Sequence, residues 1–286
     1  MKLKTTFIGN ESPFLITVMS NSDLHLIVCA PLDKKSKASF GGAWDFAKNN
    51  RIKTVTPDKY LKHPVPTDLI IVSGYHKLIP RRIILMPRIG MINIHQSLLP
   101  AYRGRHPLNW AIINGLKYTG VTIHHVSERF DAGNIILQKK VRIGKDDEIM
   151  DLYAKTLKPA KQLLAKIFRI TNKRSFKGRA QNKRLASYFP ARKPSDGKIN
   201  WKDPAVNIRN LARALTGPYP GAYFYLKGKR IILEKAELVK KYPYKINAGE
   251  FINVNGSIIA GTGKGALKII KIRGKAIKSL ARLIKK

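Results

Sequence analysis

The chain has almost no cysteine, few acids and no long apolar run. Cys29 is the only cysteine among 286 residues, which excludes an intrachain disulfide and a cysteine-based metal cluster and suits a reducing compartment. It sits in Leu26-Ile27-Val28-Cys29, where a buried, inert thiol is expected. No stretch approaches the roughly 20 apolar residues that span a bilayer, so no membrane insertion is expected. Residues 1–9 run straight into polar Asn10-Glu11-Ser12, without the apolar core or small-residue cleavage site of a secretory leader. A cytoplasmic location is therefore expected. There is no internal repeat, no glycine-rich phosphate loop after a strand, and no pairing of histidines and carboxylates at metal-ligand spacing.

The shortage of acids is what makes the composition unusual. Only 17 Asp and Glu stand against 55 Lys and Arg, a net charge of +38. Such a field attracts polyanions, whether RNA, anionic lipid or a nucleotide-linked substrate. The positive charges are spread through the whole chain, so a solvated, lysine-rich surface is the other reading; charge without a docking motif sets association and not function.

In the first half, short apolar runs alternate with helix-like segments, the pattern of a parallel sheet covered by helices. Strands are predicted at residues 5–9, 24–29, 68–73, 90–95, 120–126 and 135–141. Helices are predicted at 44–49, 81–86 and 107–114, the last stopped by Gly115. Asp146-Asp147-Glu148 opens a longer apolar-periodic segment to about residue 170, with its acids where a helix dipole favours them. From 171 to 198 the sequence turns basic and is broken by Gly178, Pro190, Pro194 and Gly197, which reads as a connection over the surface. A second domain follows, with a helix at 204–215 and short strands at 222–226, 230–233, 249–254, 257–260 and 266–272. Asn255-Gly256 is a hairpin turn signal, and short strands of this kind suggest a small barrel.

Chemistry is concentrated in Met91-Ile92-Asn93-Ile94-His95-Gln96-Ser97-Leu98-Leu99-Pro100. On a strand ending near His95, Asn93 and His95 point to one face and Ile92 and Ile94 to the other. Ligands of open α/β sheets bind beyond the carboxyl ends of the strands, so an amide and an imidazole stand at the right place. A lone histidine in an apolar strand is as readily a structural residue. His124 and His125 are adjacent on one strand, face opposite ways, and are read as packing or supporting residues.

Downstream come Tyr102-Arg103-Gly104-Arg105-His106-Pro107-Leu108-Asn109-Trp110, Gly120-Val121-Thr122 and Asp131-Ala132-Gly133. With these the chain resembles the folate-dependent formyltransferase family, whose pattern Asn-x-His-x-Ser-Leu-Leu-Pro, Tyr-Arg-Gly, Gly-Val-Thr and Asp-(Ala/Thr)-Gly is met in order and at similar spacing. The likeness extends to Asp196-Gly197-Lys198-Ile199-Asn200-Trp201, Pro218-Tyr219-Pro220-Gly221-Ala222 and the glycine turn at 260–267. It is weakest at 34–60 and after 272.

This resemblance implies an α/β fold with a doubly wound, mainly parallel, Rossmann-like sheet and a smaller C-terminal OB-like barrel. The implied division is a catalytic domain at 1–185, a linker at 186–198 and the barrel at 199–286. It implies transfer of a formyl group from 10-formyltetrahydrofolate to an amine through a tetrahedral intermediate, with no metal. His95 would be the general acid/base, Asn93 would stabilise the transition state, and Asp131 would orient the histidine and raise its pKa so that it holds a proton near neutral pH. These three are expected to meet in one pocket. The folate donor would lie against Lys77, Leu78, Ile79, Arg105 and the loop Ser127-Glu128-Arg129-Phe130-Asp131.

Within the family, the run from Arg103 to Trp110 is more similar to the UDP-4-amino-arabinose and other amino-sugar-nucleotide enzymes than to the methionyl-tRNA enzymes, which carry Ala-Ala-Pro there. Phe40-Gly41-Gly42-Ala43-Trp44 also follows the second strand after a short connection, where tRNA enzymes carry a longer basic insertion. A nucleotide-linked amino sugar is thus the expected acceptor and methionyl-tRNA the alternative. The charge and the basic tail favour the tRNA, although Ile277, Leu280, Ala281 and Ile284 have the spacing of a packed helix face. A non-catalytic RNA-binding relative is a third reading, against which the retained Asn93, His95 and Asp131 weigh.

Overall fold

The computed structural model describes residues 2–31, 42–171, 175–239 and 246–273. Phe40-Gly41 and the expected tail helix at 276–286 lie outside the described residues. The chain divides into two compact units: Met1–Pro107, Tyr118–Arg142 and Ala154–Pro190 form one, and Leu108–Lys117, Ile143–Tyr153 and Ala191–Lys286 the other.

The first unit is built on β1 (Lys4–Ile8), β2 (Asp23–Val28), β3 (Lys53–Val55), β4 (Leu69–Val72), β5 (Gly90–His95), a short β6 (Arg103–Gly104), β7 (Tyr118–His125), β8 (Ile135–Arg142) and a short β9 (Tyr188–Phe189). The main sheet has the order β3-β2-β1-β4-β5-β7-β8, and β6 pairs with β9. Continuous apolar runs such as Leu69-Ile70-Ile71-Val72 are buried at every position, as expected where both faces of a sheet are covered. Alternation along each strand sorts these residues into two cores. Ile27, Leu69, Ile71, Ile92 and Ile94 pack on one face with Leu164 and Ile167 from the helix Ile149–Thr171. Leu26, Ile70, Val72 and Met91 pack on the other with Tyr60 and Ile83. Asn93 and His95 share the parity of Met91, on the face opposite Ile92 and Ile94.

Pairing is parallel from β3 through β5 and antiparallel for β5 with β7 and for β7 with β8. Among the described residues, four parallel pairs and two antiparallel ones make the sheet mainly parallel, as expected. Between β7 and β8 there is only a loop, too short for the dozen or more residues that a parallel crossover requires.

The second unit carries the helix Ala205–Ala214 and a sheet of β10 (Ala222–Leu226), β11 (Lys229–Leu238), β12 (Phe251–Val254), β13 (Ser257–Gly261) and β14 (Ala266–Ile272) in the order β10-β11-β14-β13-β12. Its outer strands are brought round toward each other: Phe224 of β10 stacks on Phe251 of β12 at 5.2 Å between ring centroids, and Trp201 meets both edge-on. This curl makes the sheet barrel-like. Asn255 and Gly256 both have positive φ, 48° and 79°, the geometry of a two-residue hairpin turn. β11 runs five residues past its predicted end because Lys235 to Leu238 continue the antiparallel pairing with β14, and Glu234 just before them is met by Arg273 (2.8 Å) and Lys271 (3.0 Å). Among the described residues no helix is long and apolar enough to cross a membrane.

Candidate active site

Strand order reverses its direction of winding between β1 and β4, and the crevice beyond the carboxyl ends of such strands is where ligands bind. His95 ends β5, the neighbour of β4. Because β7 is antiparallel to β5, Asn93 lies opposite His124 and His95 opposite Thr122. Thr122 is buried, donates to Ser97 O (2.7 Å) and accepts from Leu99 N (3.2 Å) and Gln138 Nε2 (2.8 Å). The Ser-Leu-Leu turn is thereby fastened to the sheet directly after His95.

Asp131 arrives from the loop between β7 and β8, and its backbone is left-handed, with φ at 51°. Its Oδ2 accepts from Gly104 N at 2.8 Å and its Oδ1 from Asn93 Nδ2 at 3.2 Å. The same Oδ1 lies 3.5 Å from His95 Nδ1 and 3.5 Å from His124 Nε2. Asn93, His95 and Asp131 therefore meet on one carboxylate oxygen. The motif glycines have steric causes: a Cβ on Gly133 would stand 1.8 Å from His125 O, and one on Gly104, itself at φ +96°, 2.3 Å from Phe189 O.

Hydrogen bonding fixes the histidine tautomers. His95 Nε2 lies 2.8 Å from Tyr102 O, and since a carbonyl only accepts, Nε2 carries the hydrogen. The neutral ring then has its lone pair on Nδ1, facing Asp131. His124 Nδ1 is likewise 2.8 Å from His125 O, which leaves Nε2 to accept from Asn93 Nδ2 at 3.1 Å. Asn93 thus spends both amide hydrogens inside the cluster, one on Asp131 and one on His124.

His95 is 7 % exposed. Burial lowers its pKa, Asp131 and the Tyr102 carbonyl oppose that, and the balance lies below the ordinary 6.5. This corrects the expectation of a proton held near neutral pH: the carboxylate does pull upward, but desolvation of a cation in an almost closed site outweighs it. Burial acts in the opposite sense on Asp131, yet the pull of protonated His95 and His124 together with the Gly104 N–H holds its carboxyl well below the usual range. The resting pair is a neutral imidazole beside an ionised carboxylate.

The expected folate-side residues occupy different settings. Leu78 and Phe130 are large apolar side chains, 52 % and 45 % exposed, whereas Ile79 is 5 % exposed and packs in the second core. Lys77 pairs with Asp58 (3.4 Å) and Glu128 with Arg81 (3.3 Å), all exposed; Ser127 Oγ donates to Arg129 O at 2.9 Å. Arg105 and Arg129 are exposed. Three residues at this corner are outside the catalytic and folate-side sets expected from sequence, His124 being read there as a packing or supporting residue. His124 approaches Asp131 because β7 is antiparallel. His76 responds to burial, to Arg105 and to Asp131, with a net lowered pKa. Gln181 bonds Asp131 O. Among the described residues, no group of three His, Cys, Asp or Glu could hold a metal ion.

A formyl transferase family model matches residues 33–168, and the model of the formyl transferase C-terminal domain matches residues 192–285. The chain is similar to a methionyl-tRNA formyltransferase of Caldanaerobacter subterraneus subsp. tengcongensis, 32 % identical over 83 % of this chain and 79 % of that one. It is 39 % identical, over 68 % of its length, to a bifunctional polymyxin resistance protein ArnA of Wigglesworthia glossinidia brevipalpis, of which the match spans 29 %. Its fold is similar to an N-formyltransferase of Helicobacter canadensis solved with folinic acid and dTDP-3-aminofucose, with a TM-score of 0.77 at 20 % identity over 94 % of this chain and 99 % of that one. With both parts of the family matched on either side of residue 168 and a relative of this identity spanning most of its length, the chain belongs to the formyl transferase family.

Proposed function

We propose that the protein transfers a formyl group from 10-formyltetrahydrofolate to the amine of a nucleotide-linked amino sugar, with residues 1–185 as the catalytic part, 186–198 as linker and 199–286 as the barrel. The observation that carries this reading is the convergence of Asn93, His95 and Asp131 on one carboxylate oxygen, with the His95 Nδ1 lone pair within 3.5 Å of it. The reaction forms a bond from the acceptor nitrogen to the formyl carbon and breaks the bond from that carbon to the folate nitrogen. The attacking amine must lose a proton and the leaving nitrogen must gain one. Neutral His95 takes the first proton on Nδ1 and returns it to the leaving nitrogen, while its Nε2–H stays on Tyr102 O. Ionised Asp131 stabilises the imidazolium in between. Asn93 meets the developing oxyanion by giving up its bond to His124, whose Nδ1 keeps the His125 carbonyl.

Exposed Leu78 and Phe130 suit the flat aromatic ring system of a folate, and Arg105 and Arg129 suit its carboxylates. Lys77, Ser127 and Glu128 border the same loops, and Ile79 would contribute through its backbone, its side chain being in the core. The relative bound to folinic acid and dTDP-3-aminofucose favours folate and nucleotide sugar. Methionyl-tRNA remains the second reading, supported by the relative of that activity and by the charge of +38.

The proton role has a pH signature. Because His95 is lowered from 6.5 and works as the neutral base, kcat at saturating acceptor should show a single acid limb, falling as the pH drops through an apparent value below 6.5 and levelling off at higher pH. Asp131 is ionised throughout and adds no limb. An acid limb centred well above 6.5 would remove His95 from this role.

A further inference from the structure

The basic stretch between the helix Ile149–Thr171 and residue 198 was read from sequence as a surface connection, yet part of it is bonded into the site. β9 pairs with β6, Ser187 O accepts from Arg103 N (2.9 Å), and Ser187 Oγ accepts from Tyr102 N (2.9 Å). At the centre is Gln181. Its Nε2 donates both hydrogens to backbone carbonyls, Asp131 O at 2.8 Å and Gly133 O at 2.7 Å. Its Oε1 accepts from Arg103 Nε (3.1 Å) and Nη2 (2.6 Å).

This amide has one possible orientation. Turned over, it would set its oxygen against two carbonyls and its NH2 against a guanidinium. Arg103 is 5 % exposed, and its remaining Nη1 donates to Tyr188 Oη at 2.6 Å. The ring of contacts closes on the site itself: Tyr102 O holds His95, the Arg103 side chain holds Gln181, Gln181 holds the backbone of Asp131, and Gly104 N holds the Asp131 carboxylate. Three consecutive residues and one distant glutamine thus fix the carboxylate relative to the imidazole. The clamp grips Asp131 at a φ of 51°, a backbone state that an ordinary residue keeps only when its surroundings hold it there.

We propose that Gln181 is a positioning residue for formyl transfer, holding the Asp131 loop so that its carboxylate faces His95 Nδ1. The inference rests on the assignment of His95 and Asp131 above. A loop displaced by about 1 Å can cost on the order of 100-fold in rate, so Gln181→Met, similar in length but without the amide, should lower kcat by roughly 10- to 100-fold with a much smaller change in KM for 10-formyltetrahydrofolate. Asp131 is also the main upward pull on the His95 pKa. Loosening it should move the acid limb of kcat, and the NMR titration of the His95 ring, to lower pH.

Gln181→Glu separates bracing from clamping, since it still accepts from Arg103 but offers no hydrogen to Asp131 O and Gly133 O. It sets a carboxylate oxygen against those two carbonyls while Arg103 keeps its acceptor, so it should lose turnover like Gln181→Met, and it also serves if Gln181→Met does not fold. Full turnover in Gln181→Glu, or reduced activity with an unmoved acid limb and an unmoved His95 titration in folded Gln181→Met, would overturn the proposal. Activity retained in His95→Ala would instead overturn the assignment on which it rests, so the two failures are distinguishable.

Discussion

Replacing His95 by alanine should reduce turnover by about 10² to 10⁴, the usual worth of a positioned proton-transfer group, while leaving the dissociation constant for 10-formyltetrahydrofolate nearly unchanged. The expectation follows from where the ring sits. It is 7 % exposed and held on both sides, by Tyr102 O at Nε2 and by the approach of Asp131 at Nδ1, so its placement serves a proton on Nδ1 and offers little surface to the donor. Leu78 and Phe130, the exposed apolar side chains of this region, are untouched by the substitution. Rate and donor affinity should therefore separate. Single-turnover rates together with a fluorescence titration of the folate measure both, and parallel losses in the two would assign His95 to ligand binding.

Asp131→Asn should be nearly as severe. The amide is similar in size and retains an oxygen for the Gly104 N–H, so the loop should still fold, but the imidazolium formed during the reaction loses its counter-charge. A pair of unit charges about 4 Å apart is worth about 4 kcal/mol at an effective dielectric constant of 20, and about 1.4 kcal/mol corresponds to tenfold in rate. Turnover should then fall by up to about three orders of magnitude. The new NH2 would also face Asn93 Nδ2, donor against donor, and the lone pairs of His95 Nδ1 and His124 Nε2 at 3.5 Å, where a hydrogen bond to Nδ1 hinders its protonation. Steady-state rates with circular dichroism as the folding control test this, and a loss smaller than tenfold would show that the carboxylate is not coupled to the proton.

Much of this site could be read in the sequence because it lies on a strand. Period-two alternation placed Asn93 and His95 on one face of β5, and the predicted limits of that strand are those observed, Gly90 to His95. The glycine of Asp-Ala-Gly was legible only as part of a motif, and the structure supplies its cause in the close approach of His125 O. What escaped depends on contacts between distant segments. The approach of His124 requires β7 to be antiparallel, which no local pattern encodes. Gln181 stands in a basic, broken stretch whose composition is that of a connection, and only the fold brings it against Asp131. β3 and the helix Pro57–Lys62 were missed because three and six residues are too few for a periodic signal. The sign of the His95 shift was misjudged for a different reason. The carboxylate was visible as a motif, but the burial that outweighs it belongs to the folded state alone.

The account is tested most directly by measuring product. With 10-formyltetrahydrofolate supplied at near-physiological salt, wild type and His95→Ala would be given a nucleotide-linked 4-amino sugar or methionyl-tRNA, and the formylated acceptor quantified by mass spectrometry. Retention on RNA decides nothing for a chain of charge +38, because binding through several phosphates weakens by roughly 10³ to 10⁵ between about 50 and 200 mM salt. We expect His95-dependent formylation of the amino sugar and little or none of the tRNA. His95-dependent formylation of methionyl-tRNA with no sugar product would contradict the acceptor, and transfer to neither amine would contradict the catalytic reading itself.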